Sequence, residues 1–156
     1  MIRPARREDA RALAELEVRA WRWAYVDIVD EADMITVEAR EQEWRDGPIE
    51  GAHVAEVGGR IVGVVQFGPR DDEAGAAVLH RLYVEPAAQG AGVGAALHDL
   101  ALTQLRAAGF GAATLWVFTA NGHARGFYER RGWVADGAEG TWRGAPELRY
   151  RHTLAP

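Results

Sequence analysis

Three short stretches of this chain carry residue types that could do chemistry. The first is Gln89–Gly90–Ala91–Gly92–Val93–Gly94–Ala95, almost bare of side-chain bulk and running into an apolar-periodic segment. The opening turn of a helix leaves several N–H groups without intrahelical partners, and these carry partial positive charge. Glycines beside such a turn let a bulky anion reach those donors without meeting a Cβ. Small residues there would also serve close packing of a helix on a sheet. The second stretch is "NGHARGFYERRGW" at 121–133, where Tyr128 offers a phenol and Asn121 a carboxamide. Phe127 and Tyr128 could be a core pair, yet neighbours on a helix point about 100° apart, so one can face elsewhere. Asn121 alone reads equally well as a helix cap. The third is His80 in "AAVLHRLYV" (76–84), the side chain type that titrates near neutrality.

The glycine stretch admits three phosphate ligands. A P-loop needs Gly-Lys-Ser/Thr, whereas this chain has Gly94, Ala95 and Ala96, so that reading fails. Gly90-x-Gly92-x-x-Ala95 fits a dinucleotide fingerprint, which also wants an acid at the end of the next strand. That strand runs out through "LWVFTANG" without one. A hairpin also precedes the loop, where a dinucleotide fold would begin with it. The third ligand is coenzyme A.

Periodicity supplies the elements that must position these residues. "MIRPA" reads as an opening strand, and 8–24 and 36–45 as helices, the first with acids in its opening turn. "AHVAEV" and "RIVGVVQF" flank Gly58–Gly59, a hairpin signature. Residues 76–84 follow as a strand, 92–108 as a helix, 112–118 as a strand and 122–131 as a short helix stopped by Gly132. "WVADG" and "LRYRHTL" supply two final strands, with "GAPE" in a turn between them. The expected class is α/β or α+β, a mixed sheet flanked by helices.

The 156 residues suit one domain with a sizeable core. A net charge of −5, with arginines scattered among acids, argues against nucleic acid as the main partner. Absence of cysteine removes disulfides, thiolate metal sites and a cysteine nucleophile. His53, His80, His98, His123 and His152 show no ligand spacing, so no metal is expected. No apolar run approaches a membrane span or signal core, which makes a cytoplasmic protein without membrane attachment the expectation.

Gln89-x-x-Gly92-x-Gly94 after "LYVEP" resembles the pyrophosphate loop of the GNAT N-acetyltransferase superfamily, Gln/Arg-x-x-Gly-x-Gly/Ala. Asn121-x-x-Ala124-x-x-Phe127-Tyr128-Glu129-x-x-Gly132-Trp133 is similar to that family's second motif. The element order also matches the family fold along nearly the whole chain. The resemblance implies a GNAT fold over residues 1–156 and direct transfer of an acetyl group from acetyl-CoA to a primary amine of a small molecule or peptide. Backbone amides from Gln89 through Gly90, Ala91, Gly92, Val93 and Gly94 to Ala95 would clasp the pyrophosphate. The pantetheine arm would pair along Leu82, Tyr83 and Val84, principally through main-chain groups near Leu82 and Val84. Asn121 would touch the coenzyme, and Tyr128 would protonate the leaving thiolate.

An amine of pKa near 10.4 is neutral in only about one molecule in 2,500 at pH 7, so some group must accept its proton. Many relatives carry a Glu on the central strand; here Val78 stands in that place. His80 is the first candidate base, beside Glu73, Glu85 or a water chain, and it fits a plain surface or half-buried histidine equally well. The loss of the acid also keeps open an acyl-CoA sensor that binds without turnover. Substrate choice in the superfamily falls to the first helices. Trp21 and Tyr25 share a helix face there, as core packing or as an aromatic wall for a cationic amine, while Trp23 points away. Asp27, Asp30, Glu31 and Asp33 add negative charge nearby, and Trp142 with "GAPE" is expected on the pocket's other side. Relatives are often dimers, so a homodimer stays open.

Overall fold

The computed structural model describes residues 1–154. Seven strands form one sheet in the order β1-β2-β3-β4-β5-β7-β6. In chain order they are β1 (Ile2–Pro4), β2 (Ala52–Val57), β3 (Arg60–Pro69), β4 (Ala76–Val84), β5 (Ala112–Phe118), β6 (Val134–Trp142) and β7 (Ala145–Thr153). The helices are α1 (Ala10–Tyr25), α2 (Val37–Asp46), α3 (Val93–Ala107) and α4 (Gly122–Glu129). Only β4 and β5 run parallel, because α3 supplies the crossover that a parallel pair requires.

Apolar spacing sends the helices to opposite faces. Leu13 and Leu16 of α1 meet Trp44 of α2, Val54 and Val64 in one core layer. On the other face Leu97, Ala101 and Leu105 of α3 pack with Val65, Leu79, Leu115 and Tyr128. Side-chain caps start two helices: Thr36 Oγ1 accepts from the Ala39 amide, and Asn121 Oδ1 from the Ala124 amide, at 3.2 and 3.1 Å.

Two features of register make the site. Arg81 of β4 lies opposite Gln66, and Leu79 lies opposite Phe67, so His80 is an extra residue in a β-bulge. A bulge resets the alternation of faces. Leu79 and Leu82 consequently point into the same core layer although they stand three positions apart. The second feature is a splay: β4 and β5 pair only at Ala76, Ala77 and Val78 with Ala112, Ala113 and Thr114. Beyond that point the β5-facing edge of β4 has no strand partner.

The C-terminal hairpin differs from the sequence expectation. "GAPE" is not a turn; Trp142 ends β6, Ala145 begins β7, and Arg143–Gly144 make the two-residue connection. Both connecting residues have positive φ, 46° and 85°, the geometry of a tight hairpin turn. The "WVADG" reading catches the start of β6, but the glycine-containing remainder, "AEGTW", escapes a propensity reading, and pairing with β7 overrides it.

Candidate active site

The glycine loop joins β4 to α3 through a short helical turn at Pro86–Ala88. Gly90 and Gly92 both take φ of 83°, and a Cβ at either would stand in open space. The glycines are there for backbone conformation and for access, not for packing under a neighbour. The Gln89 and Ala91 amides are used by the carbonyls of Pro86 and Ala88. Among the described residues, the amides of Gly90, Gly92, Val93, Gly94 and Ala95 make no main-chain hydrogen bond. The donors available to an anion are therefore these five rather than the whole run from 89 to 95.

The open edge of β4 points the same way. Glu85 N donates to Val62 O, which makes Val84 and Gly63 a non-hydrogen-bonded pair. The N–H and C=O of Val84 thus turn away from β3 toward the splay, and Leu82, two residues earlier, does likewise. The Gln89 carboxamide donates to the Val84 carbonyl at 3.4 Å from that side. Tyr83 behaves differently. Its main chain faces β3, and its side chain faces α1, where the hydroxyl accepts from Trp21 Nε1 at 2.9 Å.

Two cavities open on the splay. One, of about 100 Å3, is walled by Leu82, Val84, Gln89, Gly94, His123, Ala124, Phe127 and Tyr128. The other, of about 220 Å3, lies between β4 and β5 and is walled by Trp21, Tyr25, His80, Arg81, Tyr83, Phe118, Tyr128, Trp142 and Glu147 among others. Leu82, Ala124 and Tyr128 belong to both. Tyr128 sits at the junction.

Tyr128 is 8% exposed and packs against Phe127 and Trp133, so it is a core aromatic and a cleft residue at once. Its hydroxyl makes no hydrogen bond among the described residues. Burial, with Tyr83 nearby, pushes the phenol well above its ordinary range, so it stays protonated. Asn121 is drawn into the helix cap and lines neither cavity. Its amide lies beside the Tyr25 phenol, whose pKa burial raises and Asn121 pulls back slightly.

His80 projects from the bulge into the larger cavity, and also borders a groove with Val78, Thr114 and Trp116 on the same sheet face. Its side chain is exposed at the cavity rim, yet partial desolvation, and then the Arg81 charge, lower its pKa from the ordinary 6.5, which favours the neutral ring that can take a proton. Glu73 and Glu85 are not free: Arg151 and Arg70 hold the first, and Arg19 the second. Neither lines the cleft.

The wall away from the glycine loop is aromatic. Trp21 contacts Tyr25, Trp142 and Phe118 edge-to-face with ring centroids 4.7, 4.9 and 6.3 Å apart. Trp21 is buried and Trp23 is 50% exposed, as helical spacing demands. Trp21 and Tyr25 are thus core and wall together. Trp142 faces them from β6, and Arg143 stacks on it at 4.4 Å while donating to the Asp33 carbonyl. The acids at 27–33 do not line the cleft; Glu31 pairs with Arg22 outside it. The carboxylate that does line it is Glu147, which the sequence reading placed in a turn.

Beneath Arg81 lies a buried ionic group. The Glu17 carboxylate, wholly buried, accepts from Trp44 Nε1 at 2.6 Å and faces Arg81 and Arg40 at 3.2 and 3.4 Å. Helix α1 is thereby tied to the strand residue that follows the bulge.

With this geometry established, the relatives become informative. The sequence matches the family model described as the acetyltransferase (GNAT) family over residues 10–133. The chain belongs to the GNAT acetyltransferase family. It is 30% identical to the Mycobacterium tuberculosis protein called "Probable N-acetyltransferase Rv2775", across 96% of this chain and 91% of that one. The fold of this GNAT protein resembles the Thermoplasma acidophilum PaiA N-acetyltransferase, solved in complex with coenzyme A. That match has a TM-score of 0.82 and 19% identity, over 98% of each chain. It also resembles yncA of Salmonella typhimurium, solved with acetyl-CoA, with a TM-score of 0.75 and 19% identity over 100% of this chain and 94% of the other. No helix among the described residues is long and apolar enough to cross a membrane.

Proposed function

We propose that this GNAT protein transfers an acetyl group from acetyl-CoA to a primary amine of a small molecule or peptide by direct attack. One observation carries the reading. Five unpaired amides at the start of α3 adjoin an unpaired strand edge at Leu82 and Val84, which leads to the free hydroxyl of Tyr128.

The residues fit coenzyme A. The open space over Gly90 and Gly92 lets a diphosphate reach the amides of Gly90 and Gly92–Ala95, and the helix dipole favours its charge. Main-chain groups of Leu82 and Val84 suit an amide-bearing arm laid along the edge, while Gln89 and Gly94 wall it. Bound there, acetyl-CoA supplies the thioester, whose C–S bond breaks as the amine forms its C–N bond.

The chain's own groups move the protons. Tyr128 holds a proton at neutral pH and gives it to the departing sulfur. His80, neutral and facing the larger cavity, accepts the proton that the ammonium must lose. Trp21, Tyr25 and Trp142 hold the amine and exclude water on the far side. A calorimetric titration with coenzyme A, followed by acetyl transfer to an amine panel, tests the proposal. Absence of coenzyme A binding overturns it; binding without turnover on any amine would leave the sensor reading instead.

A further inference from the structure

The larger cavity contains one carboxylate that nothing in the fold answers. Glu147 forms no ion pair and no hydrogen bond among the described residues, although it lines the cleft between Phe118, its partner across β5–β7, and Gly140 of β6. A Cβ built on Gly140 would stand 3.5 Å from Glu147 Oε1 and 3.4 Å from the Trp116 indole, so the bare glycine leaves room beside the carboxylate. Burial raises its pKa above the ordinary 4.5 with no cation to offset it. The other charges at this wall are committed elsewhere. Arg81 is held by Glu17 and lies over the Trp44 ring at 4.8 Å. Arg143 is turned to Trp142 and Asp33, and Arg149 pairs with Asp136 at 2.6 Å.

A partly desolvated carboxylate among aromatic rings favours a cation, which the ring faces also attract. That cation is distinct from the reacting nitrogen, whose proton the proposed function already gives to His80. The wall also offers no free cation for a substrate carboxylate. Resting on the assignment of this cavity to the acceptor, we infer that Glu147 binds a second cationic centre of the substrate. The acceptor class is then an aliphatic diamine or related dication rather than an amino acid.

The test titrates the wild-type chain and Glu147→Gln with 1,4-diaminobutane and with butylamine by calorimetry, without coenzyme, after thermal melts confirm folding. The wild type should bind the diamine about tenfold or more tightly than the monoamine, the scale of about 1.4 kcal/mol. Glu147→Gln should erase that preference. Equal affinities in the wild type, or a preference that survives in Glu147→Gln, overturn the inference. If the variant does not fold, the wild-type comparison decides. A parallel coenzyme A titration separates the two assignments: a chain that binds coenzyme A without preferring the diamine loses only the inference, and one that binds no coenzyme loses the acetyl-transfer reading.

Discussion

Trp21 Nε1 donates to the Tyr83 hydroxyl at 2.9 Å, joining the first helix to the central strand at the wall of the larger cavity. Both groups are removed from water, so neither has a substitute partner close by. Trp21→Phe leaves the Tyr83 hydroxyl unpaired, and urea denaturation should register a loss of about 1–3 kcal/mol. The same variant loosens the wall that the proposed function assigns to the amine. Its KM for the amine should rise more than its KM for acetyl-CoA, and equal shifts in both would contradict the placement.

Among the described residues the Tyr128 hydroxyl forms no hydrogen bond, so removing it should cost little stability while removing the proposed proton donor. Tyr128→Phe should retain coenzyme A affinity and lose about 100-fold or more in kcat. Single-turnover kinetics beside calorimetry separate these outcomes. A variant with undiminished rate would take Tyr128 out of the chemistry.

Gly92 carries a φ of 83° at the start of α3, where an L side chain is strained even though space is open. Gly92→Ala should lower stability by about 1–2 kcal/mol and weaken coenzyme A, because relief of the strain rotates the amides away from a common point. Thermal unfolding and a coenzyme titration read the two effects independently.

His80 has its pKa held below 6.5 by partial desolvation and by Arg81. If it accepts the amine's proton, it works only when neutral, so kcat/KM should rise with pH through a limb below 6.5 and no longer depend on His80 by pH 7. His80→Gln should remove that limb and lower the plateau. A limb that persists unchanged in the variant assigns it to another group.

Glu17 is wholly buried beneath Arg81, Arg40 and Trp44. Glu17→Ala strands the Arg81 guanidinium and the Trp44 indole N–H, while Arg40 keeps Glu43, and should cost about 3–5 kcal/mol. The exposed Arg19–Glu85 pair, at 2.6 Å, is the contrast: Arg19→Ala should cost less than about 1 kcal/mol. Chemical denaturation of both variants tests whether the buried group secures the bulge.

Much of this was legible along the chain. Gln89–Ala95 and Asn121–Trp133 are short, contiguous signals, and the conformations they specify depend on nearest neighbours: positive φ at Gly90 and Gly92, a cap at Asn121. The Asn121 cap also shows the limit of a motif, since the cap takes its oxygen and leaves it outside both cavities. Glu147 escapes a sequence reading that begins the last strand at Leu148, and the signal that can find it is alternation, since Glu147, Arg149 and Arg151 keep one parity along the strand. Its neighbour across the sheet, Phe118, could not be found that way.

What the sequence by itself determined is local: the order of helices and strands, the bare helix start, the phenol after Phe127, and the shared face of Trp21 and Tyr25, each fixed by spacing of a few residues along one element. What only the tertiary structure decided is relative register. The extra residue at His80 exists only by counting β4 against β3, the splay only by counting β4 against β5, and the isolation of Glu147 only when β6, β5 and the first helices surround it. Those relations join positions far apart in the chain, where side-chain packing and hydrogen-bond closure choose among registers that local propensity cannot distinguish.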